Sequence, residues 1–162
     1  MSIIKDGYRV PFVRGELPPP SFEPNNKSAL KESSFLLQEL LRLERIGCTS
    51  LSETKPRIVL PVSVVYSNKW RTVVDASRGI NPYVVKNSVA LESLSSLGSV
   101  VRKGDWFTKQ DLSQGYHHVM IHPELRTNFG VHYVFPDGSV MYLTRNVLFL
   151  GERNEAHLFT KV

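Results

Sequence analysis

Residues 106–124 read WFTKQDLSQGYHHVMIHPE, and the reading of this stretch decides the fold. Trp106, Thr108 and Gln110 alternate with Phe107, Lys109 and Asp111. That two-residue period predicts a β-strand with Asp111 at its end. Gly115 then lets the backbone turn closely past whatever Asp111 binds. Two readings of Asp111 stand side by side. A carboxylate at a strand tip can ligate Mg²⁺, which takes oxygen ligands and bridges carboxylates to substrate phosphates. An aspartate there is also an ordinary turn residue that closes a strand.

Working outward, residues 122–130 (HPELRTNFG) predict a short helix with Pro123 in its first turn. Residues 131–144 (VHYVFPDGSVMYLT) predict a hairpin about Pro136-Asp137-Gly138. Residues 148–162 (LFLGERNEAHLFTKV) read as a loop entering a helix. Upstream, a helix is expected within 88–101 (SVALESLSSLGSVV). Two β-branched runs precede it, RIVLPVSVVY (57–66) and RTVVDAS (71–77), joined through SNKW (67–70). They predict a second hairpin with Lys69, Trp70 and Arg71 near its tip, and Pro61 marks the first run as an edge or a bulge. Residues 28–48 place Phe35, Leu36, Leu40, Leu43 and Ile46 at helical spacing. Ser28 or Ser33 is the expected cap and Gly47 the left-handed stop. Residues 1–27 contain LPPPSFEPNN, too rich in proline for helix or sheet, and predict an extended arm lying on a surface. Sheets built from hairpins rather than repeated βαβ units make the expected class α+β.

Composition bounds the function. The 162 residues are 41% hydrophobic and 22% charged, enough for one domain with a real core. No apolar run approaches a membrane span. Lys5, Asp6 and Arg9 stand where a secretory leader needs apolar residues, and the single Cys48 suits a reducing compartment. The expected location is the nucleus or cytoplasm. A formal charge of +5 is compatible with a polyanionic partner. The histidines at 117, 118, 122, 132 and 157 lack a compact ligand spacing, so no zinc site is expected.

Five stretches in order carry a likeness to a known family: GYRVPF (7–12), NNKSAL (25–30), KGDWFTKQDLSQGYHHVMIHPE (103–124), HLFTK (157–161) and, between them, KWRTVVDASRGIN (69–81). Together they resemble the fingers and first half of the palm of reverse transcriptases, RNA-directed DNA polymerases, of eukaryotic retrotransposons, above all the DIRS-like elements. The resemblance implies three regions: an arm at 1–27, a fingers-like region with the basic hairpin at 28–104, and a partial palm at 105–162. It implies that Asp111 holds the place of the first catalytic, Mg²⁺-binding aspartate. Gln114 and Gly115 would face an incoming triphosphate, and Tyr116 would be the steric gate against a ribose 2′-hydroxyl. Lys69 and Arg71 would be the fingertip cations that clamp the triphosphate. Gly151 and Phe159 would lie at the ends of the segment that grips the template, with Asp75, Arg78 and Asn81 in a framework stretch. The bare residues admit other roles: Lys69 and Arg71 as solubilising charges on a hairpin tip, Tyr116 as a core aromatic.

Two departures shape the functional expectation. The family completes its two-metal site with a Tyr-x-Asp-Asp motif, and this sequence has no adjacent aspartates. Two-metal phosphoryl transfer needs several carboxylates, so Asp111 alone cannot perform it. Leu150, Glu152 and Glu155 replace residues that are usually aromatic, apolar or small in the template-grip segment, and glutamates beside a phosphate path repel it. The expectation is a domesticated, non-polymerising module that binds RNA, DNA or protein. Its phosphate contacts would be weak and reached by Lys69 and Arg71, with Lys103 and Lys109 behind them. A protein partner or self-association would cover the incomplete palm. The alternative is the N-terminal part of an active polymerase, for which Mg²⁺ enters with the rest of the palm.

Overall fold

The computed structural model describes residues 3–88, 95, 98–109, 113–154 and 157–158. The chain is α+β. Its elements, in order, are α1 (Ile3–Asp6), β1 (Ser21–Phe22), α2 (Lys27–Lys31), α3 (Ser33–Arg45), β2 (Thr49–Ser52), β3 (Ile58–Val59), β4 (Val62–Ser67), β5 (Lys69–Val74), α4 (Pro123–Arg126), β6 (Phe129–Val134) and β7 (Val140–Arg145). Single 3₁₀ turns lie at Val13–Gly15, Asn81–Tyr83 and Gly115–His118.

Pro61 divides the first β-branched run between two sheets. Ile58–Val59 joins a five-stranded sheet of order β1-β3-β6-β7-β2, while Val62–Ser67 forms a separate hairpin with β5. The hairpin register pairs Ser67 with Lys69 and Val62 with Val74, and Asn68 turns the chain alone at φ 62°. β6 and β7 form the expected Pro-Asp-Gly hairpin, with Gly130 opposite Thr144 and Val134 opposite Val140. At its turn the Asp137 carboxylate accepts from the Ser139 amide at 2.9 Å and from its hydroxyl at 2.7 Å.

α3 forms where the apolar spacing placed it. Leu36 and Leu40 share the main core with Val62, Val64 and Val74 of the hairpin, whereas Leu43 joins Cys48 and Val147 in a smaller cluster. Each such fully buried leucine is worth about 1.5–3 kcal/mol. Gly47, at φ +76°, ends the helix, and the Cys48 amide returns to the Leu43 carbonyl at 2.9 Å. The start differs from expectation. The helix breaks at Glu32, neither serine caps it, and the Ser28 hydroxyl instead accepts from the Val64 amide at 3.2 Å. Ile46 is exposed because it lies beyond the last turn.

Two further expectations are corrected. The arm is not merely a surface strap: Ser21–Phe22 adds a parallel edge strand beside β3, and Tyr8, Val10 and Phe12 are buried in the core. Prolines forbid interior ladder positions but leave a two-residue edge open. Residues 105–109 form no strand despite their alternation, and Trp106 is 99% exposed. Period 2 predicts the shape of a strand, but a strand also needs a neighbouring ladder, and none reaches these residues. Gln110 and Asp111 lie outside the described residues, as does most of the helix expected within 88–101. No helix among the described residues is long and apolar enough to cross a membrane.

Candidate functional site

A cleft of about 580 Å³ lies where α3, β5, the Gly115–His118 turn and the chain after β7 meet. Its walls include Phe35, Glu39 and Arg42 from α3, Lys69, Trp70 and Arg71 from β5, Ser113, Gln114, Tyr116 and His117 from the turn, and Arg145, Phe149 and Leu150. Its size suits a nucleotide-sized ligand. A shallower cavity of about 340 Å³ at Pro20–Phe22 and Lys55–Arg57 contains none of the residues singled out from sequence.

The hairpin puts its cations at the cleft through strand geometry. Lys69 and Arg71, two residues apart on β5, project on the same side of the ribbon. Trp70 between them packs edge-on against Tyr66, with ring centroids 5.0 Å apart, and against Phe35 of α3 at 6.1 Å. Those contacts tie the hairpin tip to the helix.

On the facing wall, Gln114 takes a left-handed conformation (φ 53°, ψ 42°) and caps the 3₁₀ turn that begins at Gly115. Its side-chain oxygen lies 3.1 Å from His117 Nδ1, and its carbonyl accepts from the His117 amide at 2.8 Å. Tyr116 packs partly against the main core, as its reading as a core aromatic expects, and also lines the cleft.

The third wall depends on a glycine. Gly151 has φ +116°, and a Cβ there would sit 2.6 Å from the Val74 carbonyl oxygen. Asn81 fixes the same segment: its side-chain amide donates to the Gly151 carbonyl at 2.9 Å, and its oxygen accepts from the Arg153 amide at 2.9 Å. The framework residues thus anchor the chain that carries Leu150. Asp75 accepts from the Ser77 amide at 2.9 Å, and Arg78 pairs with Glu23 at 2.7 Å. Glu152 is buried, 4% exposed, with its carboxylate accepting from the Asn154 amide at 3.2 Å. Glu152 is not part of the cleft's described lining, and Glu155, the other glutamate of that expectation, lies outside the described residues.

Asp111 and Phe159 lie outside the described residues. Lys103 and Lys109 are exposed and do not line the cleft. Among the described residues no three of His, Cys, Asp and Glu cluster as a metal would need. Glu39 is the one carboxylate in the described lining, and both its oxygens accept from Arg42 at 2.7 Å. The described lining does not fit a divalent cation.

It fits an anion. Among the described lining residues, Lys69, Arg71, Arg42 and Arg145 stand against the single carboxylate of Glu39. Arg145 is 2% exposed, and its Nε has no hydrogen-bond partner. Burial pushes its pKa down to about 10, and the Phe149 ring lies 5.1 Å from its guanidinium carbon. Burial and then the charges of Arg145 and Arg42 push His117 down to about 4, so it is neutral at pH 7. Burial raises the Cys48 thiol, opposed by the same two arginines. Sequence reasoning missed Arg42, His117 and Arg145. Arg145 left a trace, being the one charge in VMYLTRNVLFL (140–150). No protein-family model matches the chain, and no curated protein matches it.

Proposed function

We propose that the chain is a retrotransposon-derived, reverse-transcriptase-like module that binds single-stranded RNA through the phosphates it admits to this cleft, without polymerising by itself. One observation carries the reading. Lys69, Arg71, Gln114 and Tyr116, assigned to nucleotide binding from sequence and about 45 positions apart along the chain, border the same cleft. Cations on the hairpin and an aromatic in the same cleft give phosphate attraction and a stacking surface together. The cation excess over Glu39 favours a polyanion.

Binding of single-stranded RNA, measured at two salt concentrations, tests it. The expected affinity is weak, falls steeply with salt, and is lost in Lys69→Glu/Arg71→Glu. Tight binding that ignores salt, or an unchanged double variant, refutes it.

The same convergence supports a second reading, the N-terminal part of an RNA-directed DNA polymerase. There Asp111 would join further carboxylates to hold Mg²⁺, and Tyr116 would select deoxynucleotides. Primer extension distinguishes the two: activity of this chain with Mg²⁺ and deoxynucleotides, abolished by Asp111→Ala, would favour the enzyme. A protein partner would also find a contact surface on this module, at Trp106 and Phe107, 99% and 69% exposed in adjacent positions.

A further inference from the structure

We propose that Arg145 is the receptor of a metal-independent phosphate site at the floor of the cleft, built to take a phosphomonoester group. The starting point is an uncompensated buried charge. Arg145 is 2% exposed, and no carboxylate among the described residues pairs with it. Its Nε makes no hydrogen bond. A guanidinium cannot shed its proton in the physiological range, so burial does not resolve into a neutral side chain. A buried charge is retained where an opposite charge satisfies it, and none of the described residues supplies one here.

The surroundings say what that something is. Arg145 borders an open cleft, so an anion can reach it from solvent. Arg42 lines the same cleft, with its guanidinium held by Glu39. Lys69 and Arg71 line it as well. Among the described lining residues, four cations against one carboxylate leave a net +3, which matches a phosphomonoester dianion better than a single carboxylate. The planar fork of arginine fits phosphate oxygens two at a time. Because the guanidinium is buried, a terminal phosphate reaches it more readily than one with chain continuing on both sides. His117, neutral beside it, offers a ring N–H rather than a competing charge. The site stands on the buried charge and its cleft, and it holds whether or not the chain belongs with polymerases.

Two sources share this chemistry, free phosphate and the 5′-phosphate of an RNA strand, and the experiment separates them. Thermal melts of the full chain are recorded with inorganic phosphate and with sodium chloride at equal ionic strength. Binding is then measured for a short 5′-phosphorylated RNA and its 5′-hydroxyl twin. Phosphate is expected to raise the melting temperature where chloride does not. Arg145→Met is expected to abolish that rise while melting no lower than wild type without ligand, because it removes an unpaired buried charge. Arg145→Lys is expected to weaken phosphate binding about 10- to 100-fold by losing the fork. Preference for the 5′-phosphorylated RNA assigns the site to strand ends. A phosphate effect without that preference supports the site and assigns it to a small free phosphate. No phosphate-specific rise in wild type, or an equal rise in Arg145→Met, overturns the proposal. Unfolding of Arg145→Met overturns it too, since it shows that the guanidinium is satisfied within the protein. Unchanged RNA binding in Lys69→Glu/Arg71→Glu refutes the RNA reading above, and a phosphate-dependent rise that still disappears in Arg145→Met leaves this site standing.

Discussion

Gly151→Ala is the substitution whose cost follows most directly from the cleft geometry. Gly151 adopts φ +116°, and a Cβ there would lie 2.6 Å from the Val74 carbonyl oxygen. An L-residue in the left-handed half of the map costs about 1–2 kcal/mol on its own. The clash adds to this, because a carbonyl oxygen on β5 cannot move without disturbing the hairpin. The segment must instead lift, which breaks the two hydrogen bonds of Asn81 to Gly151 and Arg153, both 2.9 Å. Each is worth about 1 kcal/mol. The sum is about 3–4 kcal/mol. For a domain of this size that lowers the melting temperature by about 6–16 °C. Gly47→Ala is the internal control. Gly47 also has a positive φ, +76°, but nothing lies within 4 Å of its Cβ position. It should cost only the backbone term, about 1–2 kcal/mol. Urea melts of both variants, with m-values compared, measure the difference. Equal costs for the two would refute the close packing of Gly151 on Val74, and with it the anchoring of the third cleft wall.

Leu40→Ala, at a site 2% exposed in the main core, should cost about 2–5 kcal/mol by chemical denaturation. His132 is buried with its pKa lowered, mainly by desolvation, and His117 is pushed down to about 4, also first by burial. Both take up protons more readily when unfolded, so the stability they contribute is present above the ordinary histidine range and is lost as pH falls from about 6.5. Melts between neutral pH and pH 4 should show that loss, and His132→Phe should lessen it. The charged groups acting on His117 are Arg145, Arg42 and His118, which lower its pKa, and Glu39, which raises it. Arg145→Met should therefore move the His117 titration upward, as followed by NMR, and an unmoved titration would show that Arg145 does not act on that ring. The chain should give no primer extension on RNA or DNA with Mg²⁺ and deoxynucleotides, as measured by a gel assay.

What the sequence by itself determined was local. Helical spacing located α3 and its buried Leu36, Leu40 and Leu43, and Gly47 located its end. β-branching and turn residues located both hairpins, because neighbouring residues alone decide those choices. The likeness of ordered motifs singled out Lys69, Arg71, Gln114 and Tyr116. Their meeting in one cleft was a matter of tertiary structure, since strand pairing and helix packing bring together residues far apart in sequence. The same distance hid other facts. Pro61 reads as an edge or bulge, but only the sheet partners show that it parts two sheets. Residues 105–109 alternate like a strand and form none, because a ladder requires a partner that periodicity does not encode. Arg145 shows in the sequence as a lone charge in an apolar run. Its burial, with no counter-charge among the described residues, is decided by the tertiary packing of β7 against its neighbours, and that burial makes it an anion receptor rather than one more surface cation.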